Sequence, residues 1–122
     1  MKDIKWLYVP RESNYPAAES YLSLILSVDQ VKRIIEDLKN VEVSEFKAKD
    51  IFRASKLSLL GISNSHVKKN IEKIDEGKEL SPILLVTDLV NRTVIIADGY
   101  HRLCGVYYYD EDATIPCKIV DL

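Results

Sequence analysis

The residues best suited to chemistry form the run Asp98-Gly99-Tyr100-His101-Arg102. Gly99 has no Cβ, so its backbone can adopt a positive φ and a ligand can approach it closely. If a helix follows, its first N–H groups lack intrahelical acceptors and lie at the positive end of the helix dipole, which suits a phosphate. His101 and Arg102 add donors, and an arginine can hold a phosphate through two parallel hydrogen bonds. The run therefore predicts a phosphate-binding turn.

The same run also has a purely structural explanation, in which Asp98 caps the helix and Arg102 pairs with Asp98 or another acid. A cation in the first turn of a helix is unfavourable by ~0.3–1 kcal/mol, so Arg102 there is easier to explain if an anion or a carboxylate faces it. A second role for Asp98 is catalytic: its carboxylate could hold Mg²⁺ beside a phosphate or take a proton from an attacking hydroxyl. The sequence leaves both roles of Asp98 open.

The elements that must position this run are predicted from residue patterns. Ile83-Leu84-Leu85-Val86 and Thr93-Val94-Ile95-Ile96-Ala97 are short aliphatic runs, typical of paired strands that are buried on both faces. His101 to Tyr109 continues as a helix with Leu103, Val106 and Tyr107 inward, and 115–120 forms a last strand. Upstream, Ser63 or Ser65 caps a helix whose inner face is Val67, Ile71 and Ile74, and Gly77 ends it.

The first forty residues are predicted to form an extended arm and a pair of covering helices. Pro16 suits the first turn of the first helix, and Ser27 with Gln30 forms a capping box that opens the second, which ends near Asn40. The predicted apolar faces are Ala18, Tyr21, Leu22, Ile25 and Leu26 on the first helix, and Val28, Val31, Ile34, Ile35 and Leu38 on the second. Residues 41–46 predict a half-buried strand, and 52–61 a loop with a short extended piece.

Composition limits the classes of function. The 122 residues suit one domain, 1–122, made of the N-terminal arm and helical cover (1–40) and a core (41–122). A net charge of −2 argues against a general nucleic-acid binder, so DNA is not expected as a partner. The N-terminus lacks the apolar core of a signal peptide and no apolar run could cross a bilayer, so we expect a cytoplasmic protein without membrane contact. Cys104 and Cys117 predict buried free thiols, and no metal-ligand spacing is present.

The segment from Leu80 through Val120 resembles the ParB/sulfiredoxin superfamily. The resemblance rests on Leu80-Ser81-Pro82 leading into the first strand, on the 93–97 strand, and on the Asp98–Arg102 run opening a helix. It implies a ParB/sulfiredoxin-like α+β fold, a small mixed sheet with helices, here preceded by the N-terminal helical pair. It also implies that Gly99, Tyr100, His101 and Arg102 bind the phosphates of a nucleotide (ATP, ADP or CTP), with Mg²⁺ as a further expectation.

Lys69 and Lys73 lie on the helix before the strands, on the face that this superfamily uses to present polar or basic groups to phosphates. A solvated helix surface is the alternative explanation for both lysines, and His66 is expected to be a surface residue rather than a ligand. Asp98 is the candidate catalytic residue of the resulting site.

The sequence departs from individual members of the superfamily. Sulfiredoxins carry a reactive cysteine directly before the His-Arg pair, where this chain has Tyr100, so their sulfinic-acid repair chemistry is not expected. ParB proteins continue into a helix-turn-helix module, and this chain stops at Leu122, so chromosome partitioning is not expected. The leading prediction is a nucleotide- or phosphate-binding protein, with ATP-dependent phosphoryl transfer or hydrolysis as the implied reaction classes. The alternatives are a non-catalytic module that binds a protein partner and an accessory factor for DNA transactions.

Overall fold

The computed structural model describes residues 3–122. Within that range the elements are α1 (Asn14–Leu22), α2 (Val28–Asn40), β1 (Ser44–Lys47), α3 (Ala48–Ser55), α4 (Ser65–Asp75), β2 (Ile83–Asp88), β3 (Thr93–Asp98), α5 (Tyr100–Tyr109) and β4 (Thr114–Asp121). The predicted α+β class, with a helical pair ahead of a small mixed sheet, is confirmed.

The four strands form one sheet in the order β1-β4-β2-β3. β2 pairs antiparallel with β3 and parallel with β4, and β1 pairs antiparallel with β4. The two central strands are thus β4 and β2, and β3 forms the edge next to which α5 begins. The predicted pairing of the two aliphatic runs is confirmed, since Leu85 lies opposite Ile96 and Val86 opposite Ile95.

Helices cover both faces of the sheet, which explains why β2 is apolar at consecutive positions. Successive side chains of a strand point to opposite faces. Ile83 and Leu85 accordingly belong to the core cluster shared with α3, α4 and α5, while Leu84 and Val86 belong to the cluster shared with α1 and α2. All four are fully buried or nearly so. The sheet is therefore the middle layer of three.

The N-terminal helices form as predicted, with different boundaries and inner faces. The Ser27–Gln30 capping box is present, and α2 ends at Asn40 as expected. Three residues assigned to the inner faces are exposed instead: Tyr21, Ile25 and Val28. α1 ends at Leu22, where Leu24 and Ile25 donate to carbonyls three residues earlier. The helical periodicity, which was predicted to continue to Leu26, therefore ends at Leu22. Val28 is the first residue of α2.

Two predictions between residues 41 and 61 need correction. The strand expected over 41–46 is present as the shorter edge strand β1, but it is not half-buried, because all four of its residues are exposed. Most of the expected loop's first half belongs to α3, which buries Ala48, Ile51 and Ser55 against the sheet. These residues recur at spacings of three and four, the signal of a short amphipathic helix.

The helix α4 forms where the sequence placed it, with a different cap. Asn64, between the two serines considered, is the N-cap, and its side chain accepts hydrogen bonds from the N–H groups of His66 and Val67. Gly77 follows the helix with a φ of +72°, the left-handed conformation expected of it. Among residues 3–122, no helix combines the length and the apolar character needed to cross a membrane.

The burial difference between Ile34 and Val28 gives a test of how α2 packs. Ile34 is completely buried, whereas Val28 on the same helix is 70% exposed. Ile34→Ala should lower the free energy of unfolding by ~2–5 kcal/mol, because it removes buried methyl groups and leaves a cavity. Val28→Ala, the matched control, should change it by less than ~0.5 kcal/mol. Urea unfolding followed by circular dichroism measures both, and equal losses in the two variants would contradict this packing.

Candidate functional site

The turn between β3 and α5 depends on Gly99. This residue is the N-cap of α5, and its φ of +111° lies in the region that favours glycine. Its carbonyl accepts the first intrahelical hydrogen bond, from the N–H of Leu103 at 2.9 Å. A Cβ at this position would lie 2.9 Å from both Arg102 Nη2 and Ile83 Cγ1. Glycine is therefore required here both by backbone conformation and by space.

The side chain of Arg102 extends back across this turn and forms two hydrogen bonds there. Its Nη2 donates to Asp98 Oδ2 and to the carbonyl oxygen of Pro82, each at 3.0 Å. The side chains of Arg102 and Asp98 are each only 16% exposed. The prediction that Asp98 caps α5 is wrong, since the N-cap is Gly99 and no side-chain cap forms. The alternative pairing of Arg102 with Asp98 is observed, and it offsets the cost of a cation in the first turn.

The packing of α4 against α5 forms a cleft beside the turn. A Cβ on Gly105 would lie 3.0 Å from Asn70 Cβ, so the absence of a side chain allows the two helices to come close. The resulting cleft has a volume of about 260 Å³. Its wall is formed by His66, Lys69, Asn70, Lys73, Asp98, Gly99, Tyr100, His101 and Arg102.

All seven residues named from the sequence as candidates lie in this wall. His66 is exposed, as expected of a surface residue, but it also lines the cleft, as does Asn70, which the sequence did not single out. Both could have been found from spacing: His66, Asn70 and Lys73 follow one another at intervals of four and three, so they lie on one face of α4.

The cleft is a positive region on a negative chain. Lys69, Lys73 and Arg102 face one carboxylate, Asp98, which leaves a local charge of +2 (three cations less one anion), against −2 for the whole chain. Neither lysine ammonium forms an ion pair with a carboxylate of residues 3–122. Arg102 Nε is also buried without a hydrogen-bond partner in that range. The cleft thus offers more positive charge than its own residues neutralise.

Two histidines lie against each other at the cleft. The rings of His66 and His101 have centroids 4.8 Å apart. Burial, and in second place the proximity of His66, lowers the pKa of His101 below its ordinary value of 6.5. His101 is therefore neutral at pH 7, and an anion in the cleft would favour its protonated form.

The side chain of Tyr100 is held by a hydrogen bond to the segment that follows α3. Its hydroxyl donates to the carbonyl oxygen of Ser58, and burial raises its pKa above the usual value. Tyr100 therefore fastens the segment after α3 to the first turn of α5. Its backbone N–H, one of the first in the helix, is the group it can offer a ligand.

The two cysteines are buried free thiols, as predicted. Burial raises the pKa of Cys104 and raises that of Cys117 to about 12. A thiolate is the reactive form of cysteine, so both residues are poor nucleophiles in the folded chain.

The acidic groups of the cleft do not form a metal site of their own. No cluster of three or more His, Cys, Asp or Glu side chains suited to a metal occurs among the residues that the structure describes. Asp98 is the one carboxylate in the cleft wall, and Arg102 already occupies its Oδ2. Because Mg²⁺ keeps several waters and is usually held by one or two carboxylates plus substrate phosphates, it would depend here mainly on the phosphates.

Comparisons of the chain with protein-family models, with curated proteins and with solved structures found no match.

Gly99→Ala tests whether the turn needs glycine. The variant should lose ~1–3 kcal/mol of unfolding free energy from backbone strain alone, with the close contact to Ile83 adding to the loss. Gly61→Ala is the matched control, because Gly61 has open space where a Cβ would lie. It should be neutral or stabilising by up to ~1 kcal/mol. A Gly99→Ala variant as stable as wild type in urea would show that the turn has another conformation.

Proposed function

We propose that this chain is a nucleotide-binding protein that holds the phosphates of its ligand in the cleft between α4 and α5. The observation that supports this most is the convergence of four kinds of phosphate donor on one cleft. These are the first N–H groups of α5, the ammonium groups of Lys69 and Lys73, the histidine pair, and Arg102. Helix N-termini and clustered cations are both established means of binding phosphate.

Each residue has a distinct role in the proposed complex. Gly99 allows the close approach of a phosphate to the backbone, and Tyr100 and His101 present free N–H groups. Lys69 and Lys73 supply mobile ammonium donors from the opposite wall. Arg102, held by Asp98 and Pro82, contributes mainly fixed positive charge, because its Nη2 is already committed to these two acceptors.

The volume of the cleft suits the phosphates of a nucleotide better than a whole nucleotide. At about 260 Å³ it is smaller than the ~300–1,000 Å³ of sites that enclose a small organic ligand. In the proposal the sugar and base therefore lie outside the cleft. ATP, ADP and CTP remain the candidate ligands, because of the resemblance to ParB and sulfiredoxin proteins. In the proposal Mg²⁺ binds as a complex with the nucleotide phosphates.

Asp98 is better suited to positioning than to catalysis. A general base must reach the proton that it removes, and this carboxylate is mostly buried and bonded to Arg102. Phosphoryl transfer or hydrolysis, the reactions implied by the resemblance, would use a general base, and no carboxylate other than Asp98 lines the described cleft wall. We therefore propose binding as the function of the cleft, with Asp98 holding Arg102 in place.

Three lysines on α4 test the proposed site. Lys69→Gln and Lys73→Gln should each weaken ATP binding about fivefold, since an ion pair at the surface contributes ~1 kcal/mol. Lys68→Gln is the control: this residue is also exposed and on the same helix, but it does not line the cleft. Isothermal titration calorimetry at low salt, with ATP, ADP and CTP and with or without Mg²⁺, measures the effect.

Two outcomes would contradict the proposed site. If Lys68→Gln weakened binding as much as Lys69→Gln, the attraction would be a general effect of surface charge. If none of the three nucleotides bound to the wild-type chain, with or without Mg²⁺, the proposal of a nucleotide site would be wrong.

The histidine pair gives a prediction about pH. Because the pKa of His101 is lower in the folded chain than its ordinary value of 6.5, the folded state favours the neutral imidazole. This preference contributes fully to the free energy of unfolding above pH 6.5, and the contribution is lost as the pH falls below that value. An anion in the cleft favours protonated His101, so anion binding should take up a proton. Sulfate affinity should rise about three- to tenfold from about pH 7.5 to about pH 5.5. Sulfate is the probe because, unlike phosphate, it does not itself titrate in this range.

His101→Asn isolates this effect. The variant should keep the folded structure and lose most of the pH dependence, which calorimetry with sulfate at several pH values would show. A wild-type affinity that is flat over this range, or an unchanged slope in His101→Asn, would place the bound anion away from His101.

A further inference from the structure

A second cavity lies away from the α4–α5 cleft and shares no residue with it. It has a volume of about 370 Å³ and opens between the N-terminal arm, the end of α5 and the adjoining ends of β1 and β4. Neither the phosphate site nor the resemblance gives it a role.

The arm that forms one wall is fixed to the core. Leu7 donates its N–H to the Leu80 carbonyl at 2.8 Å, and Leu80 donates to the Lys5 carbonyl at 2.9 Å. Trp6, between these two bonds, forms a bridge with Leu80 and packs against the main core cluster, as does Tyr109 from α5. Two aromatic walls of the cavity are thus held in place by the fold.

The chemistry of the cavity is aromatic and acidic. Its wall contains three aromatic residues and three carboxylates: Trp6, Tyr8, Tyr109, Asp3, Glu45 and Asp110. No Lys, Arg or His among the described residues lines it. The side chain of Tyr8 is 59% exposed, so a ligand can reach its ring. Neither Asp3 nor Glu45 forms an ion pair within residues 3–122.

These features select one class of ligand. A metal ion is disfavoured, because no three carboxylates or other metal ligands of residues 3–122 converge closely enough to hold one. An anion is disfavoured by the acidic wall. An organic cation suits both components, since aromatic rings attract cations through their negative faces and carboxylates add Coulomb attraction. The volume lies at the lower end of the ~300–1,000 Å³ range of ligand sites, which fits one small cationic group.

We propose that this cavity binds a methylated ammonium group. Such a group is weakly hydrated, so aromatic walls replace its water shell better than they would replace that of a primary ammonium. The group is either part of a small metabolite or the end of a methylated lysine side chain, and both present the same chemistry to Trp6, Tyr8 and Glu45.

The experiment uses the one tryptophan of the chain as its probe. Trp6 lines the cavity and is the single tryptophan in the sequence, so its fluorescence reports directly on occupancy. Choline should change the Trp6 emission saturably. The neutral isostere, in which carbon replaces the quaternary nitrogen, and sodium chloride at the same concentration should not. A parallel titration with Nα-acetyl-trimethyllysine amide distinguishes the two sources, since the better fit should bind more tightly.

Exposed residues of the wall supply variants that preserve the fold. Glu45→Gln and Tyr8→Leu should each weaken choline binding about two- to fivefold, through lost Coulomb and cation–π attraction respectively. Glu42→Gln, at another exposed acid that lies outside the cavity wall, should bind like wild type. Circular dichroism confirms that each variant is folded.

Three results would overturn the proposal. The first is the absence of any saturable response to either methylated ammonium. The second is an equal response to the neutral isostere, which would mark a merely apolar cavity. The third is choline binding unaffected by both Glu45→Gln and Tyr8→Leu, which would place the cation elsewhere. Nucleotide binding at the α4–α5 cleft is independent of all three.

Discussion

The contact on which the site most depends is the bridge from Arg102 to Asp98 and to the carbonyl oxygen of Pro82. These three residues lie at the start of α5, at the end of β3 and just before β2. One guanidinium therefore joins three elements at a single corner of the sheet. It can do so because Gly99 leaves the space that a Cβ would take from Arg102 Nη2. Removing one partner of a mostly buried charge pair is costly, so both Arg102 and Asp98 stabilise this corner of the sheet.

The second constraint is the close approach of α4 to α5. Gly105 presents no side chain to Asn70, and the two helices also bury Val67, Ile71 and Cys104 between them. Burial on one face of α4 leaves its adjacent face, with His66, Lys69 and Lys73, along the cleft. The polar wall is thus a consequence of apolar packing on the neighbouring face, as in any amphipathic helix.

Charge is distributed unevenly over the chain, and the two proposed sites follow that distribution. The α4–α5 cleft has three cations and one acid in its wall, while the cavity beside Trp6 has three acids and no cation among the described residues. The net charge of the whole chain is only −2, so it reveals neither the positive nor the negative region. A small net charge is therefore compatible with a local anion site.

The sequence by itself determined the elements whose pattern is strong and local. The aliphatic runs of β2 and β3, the Ser27–Gln30 capping box and the glycines at 77 and 99 follow from side-chain period and backbone freedom, which depend on near neighbours. It also named seven residues that the fold then placed along one cleft. The tertiary structure decided what depends on partners distant in sequence: the exposure of Val28 and Tyr21, the edge position of β1, and the role of Asp98. Asp98 pairs with Arg102 instead of capping α5 because Gly99 occupies the N-cap. The cavity at Trp6 has the same origin, because the hydrogen bonds of the arm to Leu80 join residues more than seventy positions apart.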